Sequence, residues 1–96
     1  MDIILVPQRR DDDQVVSVLG DVITLNGVEY DFSPLSDGDF LDSDAFEDGG
    51  LVLGAKREGG KLIITMILAL GPEATESARF PQPITDVADG LVELPK

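Results

Sequence analysis

Apolar and polar positions alternate through residues 14–32, QVVSVLGDVITLNGVEYDF, and the alternation breaks at two dipeptides, Gly20-Asp21 and Asn26-Gly27. A period of two is that of a strand, and both dipeptides suit two-residue hairpin turns, where glycine or asparagine tolerates positive φ. Pairing outward from Asn26-Gly27 sets Leu25 against Val28, Ile23 against Tyr30 and Asp21 against Phe32. Pairing outward from Gly20-Asp21 sets Val18 against Ile23 and Val16 against Leu25, so the two registers agree. One face of the predicted meander carries Val16, Val18, Ile23, Leu25, Val28, Tyr30 and Phe32. The other carries Ser17, Thr24, Glu29 and Asp31, with Leu19 and Val22. A slip by one residue scrambles that segregation, so the register is well specified.

The same reasoning finds a second hairpin in residues 51–70, closed at Gly59-Gly60, with Glu58 opposite Lys61 as a cross-strand ion pair. Leu51, Leu53, Ala55, Leu62, Ile64, Met66 and Leu68 share one face. Val52, Ile63, Thr65, Ile67 and Lys56 share the other. A strand that is apolar on both faces is expected at the centre of a sheet or under another element. Residues 2–7 predict a first strand, at an edge because Pro7 ends it. Residues 33–50 form a long acidic loop with room for one helical turn (Leu41, Ala45, Phe46, with Ser43 or Asp44 as cap). Residues 71–77 read as a polar turn. The tail is extended, with short strands at 84–87 and 91–94, and Pro81 and Pro83 exclude a central strand there. The expected fold class is all-β: one domain over 1–96, a small antiparallel sandwich or barrel of about five to seven short strands.

Composition narrows the chemistry. The 96-residue chain has no Cys and no His, so thiolate chemistry, disulfides and the commonest general base and metal ligand are absent. The net charge is −12, which repels nucleic-acid phosphates and anionic membranes at long range. The apolar run 3–6 is short and follows Asp2 rather than a basic residue, and the run 62–70 is about half a membrane span. A soluble protein made in a cytoplasm is expected.

No constellation points to a cofactor or a reaction. Asp37, Asp39, Asp42 and Asp44 cluster as calcium ligands do, but Phe46 stands where a third ligand belongs and no glycine follows it. Asp11, Asp12 and Asp13 are neutralised by Arg9 and Arg10. Ser17 has no neighbouring base, and no nucleophile elbow or phosphate-cradling glycine motif is present. Tyr30 and Phe32 fall on the core face, not on a stacking platform for bases. No catalytic residue, cofactor site or metal site is therefore assigned. The apolar residues left on the far faces, Val52, Ile63, Ile67, Leu19 and Val22, are the candidate interaction surface, to be covered by a second sheet, a second copy or a protein partner.

Two segments carry a resemblance. GDVITLNGVEYDFSPLSDGD (20–39) and GPEATESARFPQPITDVADGLVELP (71–95) resemble the pattern of a group of small proteins encoded in tailed-phage and prophage genomes, in which an apolar strand like 62–70 precedes the second segment. The group often has an aromatic at the entry to the second hairpin, where this chain has Leu51, Val52 and Leu53, so no contact of that aromatic is carried over. The resemblance implies an accessory or structural protein of the tail-gene region, acting by protein–protein binding, and a virion-associated location is compatible with it. It implies no reaction. The alternative expectation is an acidic inhibitor or DNA mimic that binds a basic site on a host protein.

Overall fold

The computed structural model describes residues 1–10, 14–42, 51–72 and 75–94. Among these residues eight strands and one helical turn follow each other as β1 (Asp2–Arg9), β2 (Val16–Leu19), β3 (Val22–Leu25), β4 (Val28–Asp31), β5 (Phe40–Leu41), β6 (Val52–Glu58), β7 (Lys61–Leu70), α1 (Glu76–Arg79) and β8 (Gly90–Leu91). They make two four-stranded sheets, β1-β7-β6-β5 and β4-β3-β2-β8, packed as an all-β sandwich.

The meander forms in the expected register, Val16 opposite Leu25, Val18 opposite Ile23, Ile23 opposite Tyr30 and Leu25 opposite Val28. Asn26 and Gly27 both take positive φ, 50° and 83°, as the turn needs. Asn26 also ties the turn to the chain before β2: its Oδ1 accepts from the Val15 N–H at 2.7 Å, and its own N–H donates to the Val15 carbonyl at 2.9 Å. Val16, Val18, Ile23, Leu25 and Phe32 are buried, and Tyr30 is half-buried beside the Phe32 ring, 6.5 Å between centroids. Val28 keeps its place on the register but stays exposed, because it lies next to the turn on the outermost strand.

In the other sheet β7 is central, between β1 and β6, as its two apolar faces require. Several expectations change here. First, β1 runs parallel to β7, from Asp2 opposite Ile63 to Arg9 opposite Leu70, so this sheet is mixed rather than antiparallel. Pro7 does not end β1. The odd-numbered N–H groups of β1 face away from β7, as Ile3 shows by donating to the Ile84 carbonyl, so proline costs no ladder bond at that position. Second, β6 carries a bulge: Val52 pairs with Met66 but Gly54 pairs with Thr65, leaving Leu53 as the extra residue. Glu58 opposes Lys61 in the expected register, but Glu58 pairs with Lys56, at 3.6 Å, and Lys61 with Asp86 and Asp2. Gly54 also lets β5 approach, since a Cβ there would stand 3.2 Å from the Leu41 carbonyl oxygen.

One hydrophobic cluster joins the sheets, with Ile3 and Leu5 from β1, Val52 and Ala55 from β6, and Leu62, Ile64, Met66 and Leu68 from β7 against the meander. Where β6 runs out, the Gln14 carboxamide continues its ladder, donating to the Ile67 carbonyl and accepting from the Ala69 N–H, both at 2.8 Å. The expected polar turn at 71–77 holds at Pro72, but its last two residues open α1, capped by the Thr75 hydroxyl and seated on buried Ala78, and residues 73–74 lie outside the described residues. The helical turn placed at Ala45 and Phe46 lies outside the described residues, while Leu41 belongs to β5.

The tail forms a strap rather than two strands. Ile84 bridges to Ile3 on β1, the Val87 N–H reaches the Met1 carbonyl, β8 pairs with β2, and the Val92 N–H reaches the Val16 carbonyl. The strap thus covers edges of both sheets. Asp2 and Lys61 fasten its middle: Asp2 Oδ1 accepts from the Asp86 N–H at 2.9 Å, and Lys61 Nζ meets Asp86 at 3.0 Å and Asp2 at 3.7 Å. The Asp86 hydrogen bond, and next the Asp2 charge, raise the Lys61 ammonium above its ordinary 10.5.

Candidate interaction surfaces

Strand alternation sends Ser17, Leu19, Val22, Thr24, Glu29 and Asp31 to the outer face of the meander sheet, and β8 adds Leu91, which pairs with Ser17. Leu19 opposes Val22 directly and stands diagonal to Leu91, within reach of long side chains. Leu19 is 72% exposed and Leu91 78%, with Val22 half-buried between Leu19 and Asp31. This is an apolar patch on an acidic ground. Glu29 and Asp31 share its face and Asp89 stands beside the β2–β3 turn, while Asp21 is turned toward the other sheet. Asp21 is held by Arg57, and Asp89 Oδ1 accepts from the Gly20 N–H at 2.9 Å. The Ser33 N–H and hydroxyl hold the Asp31 carboxyl below its ordinary 3.8.

The five residues assigned from the sequence separate into three settings. Leu19 and Val22 come together on the patch just described. Ile63 and Ile67 share the outer face of the other sheet with Ile4 and Val6, but Ile67 is only 8% exposed and Ile63 is half-buried, so this face offers less to a partner. Val52 is a correction: it is 3% exposed and belongs to the core, because the bulge at Leu53 turns it onto the Met66 side. Leu91 was not assigned from the sequence. Its apolar neighbours Val92 and Leu94 give it no distinguishing pattern, and its pairing with Ser17 bridges distant parts of the chain.

An open groove of about 800 Å³ lies between α1 and the end of the strap, lined by Glu76, Phe80, Pro83, Ile84, Glu93 and Leu94 among others. Phe80 is largely exposed there.

Two acids of the long loop accept from backbone N–H groups of turns. Asp37 Oδ1 accepts from the Gly60 N–H at 2.8 Å, and Asp39 Oδ2 from the Ser36 N–H at 3.0 Å. Among the described residues no three of Asp, Glu, His or Cys gather closely enough to hold a metal ion. Asp11, Asp12, Asp13 and Asp44 lie outside those residues. Among the described residues no helix is long and apolar enough to cross a membrane. No family model, curated protein or solved structure matches this chain.

Proposed function

We propose that this protein works by binding another protein, not by catalysing a reaction, and that the outer face of the meander sheet makes the contact. The observation that carries this reading is the adjacency of Leu19, Val22 and Leu91, two of them among the most exposed large apolar side chains of the described residues. Exposed apolar side chains gathered on one face gain free energy when a partner removes them from water. The acids around them supply long-range steering toward a basic partner, through a net charge of −12. The resemblance of residues 20–39 and 71–95 to small proteins of tailed-phage and prophage genomes supports an accessory or structural role in tail assembly, in the cytoplasm of the bacterial host or on the virion.

A second reading, an acidic inhibitor or DNA mimic occupying a basic site on a host protein, draws on the same charge. Salt separates the two. A partner captured from phage-producing cells stays bound at high salt if apolar contact dominates. It is released if exposed charge dominates, because salt screens such charges. Release at moderate salt overturns the apolar reading.

A further inference from the structure

Sheet edges differ in how much continuous backbone they leave open, and among the described residues β4 differs from the other edge strands. β5 and β8 are two residues long. β1 is longer, but its outward side is interrupted: Ile84 takes the groups of Ile3, in two hydrogen bonds of 2.8 and 2.9 Å, and Pro7 has no N–H to offer, so Leu5 and Arg9 do not form a continuous run of donors. β4 has four residues, no proline, and among the described residues no strand on its far side.

The register says which of its groups face outward. A two-residue turn makes Leu25–Val28 a hydrogen-bonded pair, and alternation makes Ile23–Tyr30 and Asp21–Phe32 the next ones. The last is seen directly, with the Phe32 N–H on the Asp21 carbonyl at 2.9 Å. The N–H and C=O of Glu29 and Asp31 therefore point away from β3, giving two donors and two acceptors along one free edge.

We infer that β4 is the docking edge for an extended segment of a partner, one that alternates apolar and basic side chains and adds to the sheet as a further strand. The alternation follows from the two faces of β4. Glu29 and Asp31 are exposed on the outer face and call for Lys or Arg opposite them. Val28 and Tyr30 lie on the inner face, where Val28 is 55% exposed, and call for apolar side chains. Charged side chains on an edge ordinarily keep copies of a protein apart. Here they do so selectively: antiparallel pairing of two copies of β4 about Tyr30 sets Glu29 against Asp31, which repels a second copy and leaves a basic strand as the matching occupant. Backbone bonds would supply affinity and the alternating side chains specificity.

This inference rests on the protein-binding reading and names the class of partner. The probe is an end-capped synthetic peptide of alternating valine and lysine, titrated into the full chain while amide exchange is followed by NMR. The expected result is slowed exchange at the Glu29 and Asp31 amides, and about tenfold weaker binding by Glu29→Pro. Proline at that position removes an outward N–H and no ladder bond. A peptide N-methylated at alternate residues should bind weakly to the native chain as well, which keeps the test valid if Glu29→Pro fails to fold. Absence of binding overturns the inference, and so does binding without protection of these two amides. Equal binding of a peptide with the same residues in blocks also overturns it, since charge alone would then suffice. A cellular partner captured equally by native protein and Glu29→Pro sinks the edge inference but leaves the protein-binding reading in place.

Discussion

Arg57, on β6 of one sheet, reaches Asp21, at the β2–β3 turn of the other, with Nη2 3.1 Å from Oδ2. The side chain is mostly buried, and one edge of its guanidinium is fully used: Nη2 also donates to the Phe32 carbonyl at 3.1 Å, and Nε donates to the Leu35 carbonyl. One side chain thus joins the sheets and satisfies two backbone carbonyls of the chain leaving β4. Only a planar fork can serve these acceptors together.

Replacing Arg57 should accordingly be costly in a way that charge does not repair. Arg57→Ala is expected to lose about 3 kcal/mol in urea unfolding, because two carbonyls and a carboxylate lose their donor. Arg57→Lys keeps the charge but not the fork, and should recover less than half of that loss. A lysine variant as stable as the parent would show that the fork geometry is irrelevant.

Gln14 is expected to matter for a related reason. Its carboxamide occupies the place of a missing strand beside Ile67 and Ala69. Gln14→Ala should lose about 2 kcal/mol. Gln14→Glu retains an acceptor for Ala69 but at neutral pH has no hydrogen for the Ile67 carbonyl, so it should not rescue. Thermal melts of the three proteins decide this, and a glutamate variant that melts with the parent contradicts it.

How far such features could be read in advance depends on whether they are local. The meander was legible because turn chemistry at Asn26-Gly27 and alternation on both sides dictate the same register. The central place of β7 was legible because few environments accept Ile63, Ile64, Met66 and Ile67 on opposite faces of one strand. The bulge at Leu53 was not. It changes which face Val52 occupies without changing local composition, and only Gly54 hints at a break in the strand. Pro7 misled because its effect depends on which way its nitrogen faces. The strap, Gln14 and Arg57 were beyond reach, since each joins residues far apart in sequence. The patch was half visible, in Leu19 and Val22 but not in Leu91.

Val52 and Leu19 provide a direct check on the bulge. Val52→Ala should destabilise by about 2 kcal/mol, as a truncation in a packed core does. Leu19→Ala should change stability by less than about 0.5 kcal/mol, as at an exposed site. Equal effects at the two positions would mean that Val52 is not interior.

Asp31 predicts a pH effect. Its carboxyl lies below 3.8 because the Ser33 N–H, at 2.9 Å, and the Ser33 hydroxyl bind the charged form. A carboxyl lowered in the native state contributes stability above its unfolded value, and that contribution is lost as pH falls through the lower native value. Ser33→Ala removes the hydroxyl and keeps the N–H, so the Asp31 titration should move part of the way back toward 3.8. NMR titration of the side-chain carboxyl measures it, and an unmoved midpoint would show that the hydroxyl plays no part.

The most direct measurement is capture from phage-producing cells with two baits, the native chain and the double variant Leu19→Asp with Leu91→Asp. Both substitutions fall on exposed positions of one sheet face, so the variant should melt close to the parent. The expected result is a partner recovered at high salt by the native chain and absent with the variant. Recovery of the same partner, in the same amount, by a folded variant would contradict the assignment of this face as the contact surface.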